Sequence, residues 1–206
     1  MKAANELRAR LREATTQIHE RLHGHPGLGA AASGAIGRDD YRLLLARLWG
    51  FHKAFETTLD EAARNLCVDI AMADRARAPM LEADLATLGL DGPEILRLPR
   101  CEQIFQPRSE AAFMGALYVV EGSTLGGVHI ARALSGLFPG TDHAGRKFFL
   151  GYGDRHSLMW RGFLQRLDAF AGDAAHEAEA IKGAVETFDD FEIWMDGWRS
   201  ETALVI

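Results

Sequence analysis

Apolar residues recur at intervals of three and four along almost the whole chain, a period that leaves room for little but helices. Alternating strand patterns are nearly absent. The first segment shows the period plainly: Leu7, Leu11, Ala14, Ile18 and Leu22 form one stripe of an amphipathic helix. Gly24 and Pro26 stop it. The alanine- and glycine-rich stretch to Gly37 reads as a connector. Asp39 can cap a second helix that carries Tyr41, Leu44, Leu45, Leu48, Phe51, Phe55 and Leu59. A third helix is expected from about Asp69 to Leu88, with Gly89 beyond it. Segment 89–108 holds Pro93, Pro99 and Pro107 and reads as a loop. Ser109 can cap a long helix ending before Pro139 and Gly140, and a short helix is expected after Asp142. Gly151-Tyr152-Gly153 is a turn, and two further helices span roughly 155–171 and 174–198. No repeat, low-complexity tract or long linker divides the chain. The expectation is one all-α domain over residues 1–206.

Composition narrows the function classes. With 48% hydrophobic and 25% charged residues, the chain can bury a sizeable core. Its formal net charge of −6 argues against a nucleic-acid surface, which needs a clustered basic footprint. Cys67 and Cys101 form no CxxC pair, so neither a disulfide framework nor a zinc ribbon is indicated, and both read as small buried hydrophobes. The first twenty residues carry charges every few positions, unlike a signal peptide. No run approaches the roughly 18 uninterrupted apolar residues of a membrane span. A reducing cytoplasm, with no membrane partner, is the expected setting.

The most informative segment is Ala116-Leu117-Tyr118-Val119-Val120-Glu121-Gly122-Ser123-Thr124-Leu125-Gly126-Gly127-Val128-His129-Ile130. Its flanks look helical, yet three glycines fall within six residues. Each costs about 1 kcal/mol relative to alanine inside a helix. Gly122 and Gly126 are four apart and share a face, so the bare backbone there can approach something flat. A tight helix–helix crossing explains the same glycines. A phosphate-binding loop does not, because no strand precedes them and no GK[ST] follows.

His19 lies at the edge of the first helix's apolar stripe, and Arg12 lies two turns before it on nearly the same side. An imidazole and a guanidinium so placed suit a metal and a carboxylate of one flat, dianionic cofactor. A lone histidine beside an apolar stripe is also commonly structural or solvent-facing. Residues 19–23 additionally read His-Glu-Arg-Leu-His, the HExxH spacing of zinc peptidases. The extended form of that motif fails at Pro26 and Gly29, and only eighteen residues precede His19, too few for the sheet such enzymes place before this helix. His23 and His25 read as polar residues at a helix end.

Taken together, these stretches resemble the haem oxygenase family, in its bacterial branch. Leu11-Arg12-Glu13-Ala14-Thr15-Thr16-Gln17-Ile18-His19 is similar to the proximal helix, and the segment from Leu117 to Gly127 to the glycine-rich, kinked distal helix. Phe148-Phe149-Leu150-Gly151-Tyr152-Gly153, Met159-Trp160 and Thr187-Phe188-Asp189-Asp190-Phe191 resemble the last helices of enzymes found with bacterial phytochromes. The resemblance implies a helical bundle holding haem between those two helices. It implies His19 as ligand to the iron, and Arg12 and Tyr118 at the propionate edge. Gly122, Gly126 and Gly127 would be the distal glycines, and Gly122, Ser123 and Gly126 would serve catalysis. Ser123 stands where many members have aspartate. The implied reaction opens haem, both cofactor and substrate, with O2 to give biliverdin, carbon monoxide and ferrous iron. No flavin or nicotinamide fingerprint is present, so a separate donor, a ferredoxin or reductase, would supply electrons, and a phytochrome could accept the biliverdin.

Other readings stay open from sequence. The fold could carry or sense haem without cleaving it. It is also similar to that of helical thiamine-degrading enzymes, but Cys67 and Cys101 lie outside the recognised motifs. A plain structural bundle is the blandest case. His129 shares the Gly122 face and could join a distal polar network or lie in solvent. Arg161 could meet the second propionate. Trp49, Trp160, Trp194 and Trp198 read as core aromatics.

Overall fold

A computed structural model describes residues 2–141 and 143–199, and the start expected for a helix at Asp142 lies outside them. Among the described residues there are nine α-helices and no strand. They are α1 (Lys2–His23), α2 (Pro26–Ser33), α3 (Arg38–Asn65), α4 (Ala78–Thr87), α5 (Gly92–Arg97), α6 (Glu110–Ala133), α7 (Lys147–Leu150), α8 (His156–Leu167) and α9 (Ala174–Asp196).

The stripe on α1 is Leu7, Leu11, Thr15, Ile18 and Leu22. Ala14 is exposed, and Thr15 takes its place by returning its hydroxyl proton to the Leu11 carbonyl at 2.8 Å. All seven apolar positions expected on α3 are buried. The expected connector holds α2, which starts at Pro26. His25 caps it: Nδ1 accepts the Leu28 amide at 3.2 Å, so Nε2 donates to the Met195 carbonyl at 3.1 Å. His25 is therefore a buried joint between α2 and α9.

The helix expected over 69–88 is shorter than its apolar pattern. The chain leaves the helical path after Asn65, and Cys67 adopts φ +55° and is exposed rather than core. A single 3₁₀ turn at Ala73–Arg75 precedes α4, where Pro79 is tolerated in the first turn. The expected loop over 89–108 contains α5, closed by a capping box between Asp91 and Glu94. Ser109 caps α6 as expected, accepting the Ala112 amide.

Helix α6 runs through the centre and packs mainly on α9. Small residues set that crossing. A Cβ on Gly115 would fall 1.9 Å from the Ala180 carbonyl oxygen, and one on Gly183 would fall 2.2 Å from that of Ala112. By length and apolar composition alone α6 and its extension to Leu137 could cross a membrane, but 67% of that window is buried by the other helices, as in a core helix. Helix α1 also packs on α9, held by Arg10–Glu177 and Arg21–Glu192 ion pairs, while Arg8 pairs with Asp168 in the turn before α9. So α9 is the common floor beneath α1 and α6.

Candidate haem site

The glycines of α6 divide into two sets. Gly127 is buried, and a Cβ there would lie 2.4 Å from the Phe149 carbonyl oxygen. It is a crossing glycine against α7, a packing role that the sequence did not separate from Gly122 and Gly126. Gly122 and Gly126 are different: a Cβ on either would meet nothing within 4 Å. Neither is required by packing. With Tyr118 one turn earlier they form a strip at intervals of four residues, where the backbone of a core helix is left bare.

Tyr118 of this strip lies within electrostatic reach of Arg12 on α1. Its ring lies 6.0 Å from Trp160 and 6.5 Å from Phe163, both on α8. Burial pushes the phenol above its usual pKa, and the nearby charge of Arg12 opposes that shift. Arg12 and Tyr118, from separate helices, therefore share one side of the molecule. Arg12 is exposed, as is His19 two turns on. Partial burial pulls the His19 imidazole below its ordinary pKa, assisted by His23 and opposed by Glu20. The neutral form, which a metal needs, is favoured.

Ser123 is exposed, and its hydroxyl donates to the Val120 carbonyl at 2.8 Å. What it offers outward is acceptor capacity. His129 is exposed. Arg161 is exposed too, with Nε donating to Ser157 on its own helix at 3.1 Å. Two surface cavities, about 370 and 500 Å³, lie elsewhere, one beside the Cys67–Ala73 segment and one between Ala3 and Asp168. Neither is lined by Arg12, His19, Tyr118 or the open glycines.

Behind the strip lies a polar cluster that the sequence did not reveal. Glu121 is 1% exposed, accepts the Tyr152 hydroxyl at 2.6 Å and pairs with Arg75 at 2.7 Å. The Arg77 guanidinium lies 4.9 Å over the Tyr152 ring. His52 is buried nearby against Phe148, its Nδ1 3.9 Å from Glu56. Glu56 accepts the amides of Arg77 and Ala78, yet burial pushes its pKa up to about 7. His156 donates from Nε2 to the Thr124 carbonyl at 3.1 Å. A lone acid within an apolar helical run was the available signal for Glu121. Its partners come from remote turns that no local pattern identifies.

Residues 5–196 match the profile of the family described as "Heme oxygenase". The chain belongs to the haem oxygenase family. It is an enzyme of that family, an oxidoreductase acting on haem. It is 36% identical over 162 residues to a protein named "Heme oxygenase" from Xanthomonas campestris pv. campestris (strain 8004), a match spanning 79% of this chain and 92% of the relative. Solved structures share the fold. The Leptospira interrogans haem oxygenase superposes with a TM-score of 0.73 at 16% identity, over 95% of this chain and 98% of its own. The Neisseria meningitidis enzyme, described bound to NO and CO, gives 0.71 at 24% identity, over 93% and 91% of the two chains. The all-α bundle is thus the haem oxygenase fold.

Proposed function

We propose that this haem oxygenase holds its substrate between α1 and the open strip of α6, with His19 as the iron ligand, and releases biliverdin, carbon monoxide and ferrous iron. One observation carries the assignment: Arg12 of α1 lies close enough to Tyr118 of α6 for its charge to act on the phenol, on the helix where Gly122 and Gly126 leave the backbone bare. Those residues fit haem. A flat macrocycle needs a face without Cβ atoms, its iron needs a neutral imidazole, and its propionates need a cation and a hydroxyl at one edge.

Bound haem supplies the redox chemistry that activates O2. The protein's part is positional. His19 would hold the iron. Arg12 and Tyr118 would hold a propionate. Gly122 and Gly126, with open space where a Cβ would stand, would leave room for the flat macrocycle. Ser123, its proton committed to Val120, can accept a hydrogen bond from an ordered water. Glu121, Tyr152 and Arg75 hold the glycine segment from behind.

Residues 1–206 act as one unit in this reading, in keeping with the extent of the family match. Electrons come from a separate ferredoxin or reductase, and a phytochrome is a fitting acceptor of the biliverdin. The two free cysteines suit a reducing cytoplasm. The test is to load the protein with haem, add O2 and reductant, and analyse the products. Biliverdin and carbon monoxide in equal amounts are expected. Stable haem after many equivalents of reductant would contradict the reading and leave a carrier.

A further inference from the structure

The HExxH spacing on α1 has no role in haem cleavage, yet the structure brings its two histidines together. The His19 and His23 rings lie with centroids 4.5 Å apart and planes at 70°. Both are exposed, one helical turn apart, at the end of a helix whose opposite face is buried. Metal–nitrogen bonds of about 2.0–2.1 Å put each ring centre roughly 3.2 Å from a shared ion, so two imidazoles on one cation have centres roughly 4.5–5.2 Å apart. The observed pair stands at the close end of that range before any side-chain adjustment.

We propose that in the haem-free protein His19 and His23 form a two-histidine site for a borderline divalent first-row cation: Zn2+, Ni2+, Cu2+ or Fe2+. Imidazole nitrogen suits these ions, whereas Mg2+ and Ca2+ require oxygen donors. No group of three or more His, Cys, Asp or Glu side chains suited to a metal is present among the described residues. The site is thus a bidentate chelate completed by water, not the three-ligand centre of a zinc peptidase.

The consequence rests on the reading of His19 as the haem ligand. One imidazole cannot serve the cation and the haem iron together, so the two ligands exclude each other. The pair also stands beside the place where the reaction sets ferrous iron free.

Calorimetric titration of the tag-free, haem-free protein with ZnCl2 at pH 7 tests the site. One Zn2+ per chain should bind at His19 and His23, at least tenfold more weakly in both H19A and H23A, while H23A still takes up haem. Haem added to the zinc-loaded wild type should release the zinc. Equal zinc affinity in wild type and H23A, or no uptake by the wild type, would overturn the site. Zinc retained after haem uptake would overturn the exclusion. Zinc binding lost in both variants with normal haem ligation in H19A would leave the cation site standing and remove His19 as the haem ligand.

Discussion

Gly127 and Phe149 meet so closely that a methyl group on the glycine would sit 2.4 Å from the phenylalanine carbonyl oxygen. One residue earlier, Gly126 meets nothing. The two neighbours therefore answer oppositely to substitution. G127A should lose about 1–3 kcal/mol of stability through overpacking. G126A should gain up to about 1 kcal/mol in the haem-free protein, because alanine is the better helix former. Urea denaturation measures both, and a loss of stability in G126A would show that its open side is closed.

The same contrast separates packing from function. G126L should fold normally but bind haem at least tenfold more weakly, since its side chain fills the strip. Haem titration followed by circular dichroism tests this. Wild-type affinity and wild-type biliverdin yield would place the macrocycle elsewhere.

Glu121 anchors the reverse side of α6. Removing it leaves Arg75, whose side chain is 10% exposed, without its countercharge. E121A should therefore cost about 3–5 kcal/mol, the usual penalty for breaking a buried pair from one side. Y152F removes only one hydrogen bond, to a charged acceptor, and should cost about 1.5–3 kcal/mol. Comparable stability of E121A and wild type would mean that the pair contributes nothing to holding the helix.

His52 predicts a pH dependence. Burial, reinforced by the charge of Arg77, pulls its pKa down to about 3, against 6.5 in an unfolded chain. Between those values the unfolded chain holds a proton that the folded chain refuses. Stability from this residue therefore falls as pH drops from 6.5 towards 3, by about 1.4 kcal/mol per pH unit. Glu56 acts in the opposite direction, but it is common to wild type and variant. H52L should thus gain roughly 2–3 kcal/mol relative to wild type between pH 6.5 and 4.5. A constant difference across that range would contradict the buried neutral imidazole.

The long helices were legible because their period is a property of each segment alone. The buried stripe of α3 and the Ser109 cap of α6 needed no tertiary information. The late start of α4, at Ala78 rather than near Asp69, was hidden because the apolar pattern continues where the helix does not. The glycines of α6 were visible as a group. Their division was not, since only the arrival of Phe149 distinguishes Gly127 from Gly126. That His19 and Arg12 lie two turns apart on one helix was legible from their spacing. Glu121 with Arg75 and Tyr152 was not, because that cluster joins a helix to two distant turns.

The central claim is that His19 binds the haem iron, and H19A tests it most directly. His19 is exposed, so the variant should keep its fold and melt within about 0.5 kcal/mol of wild type. Haem-loaded H19A should lose the absorption and resonance Raman signature of histidine-ligated iron, together with biliverdin formation, and added imidazole should restore the ligation signature. An H19A protein with an unchanged iron–histidine signature and wild-type biliverdin yield would contradict the account.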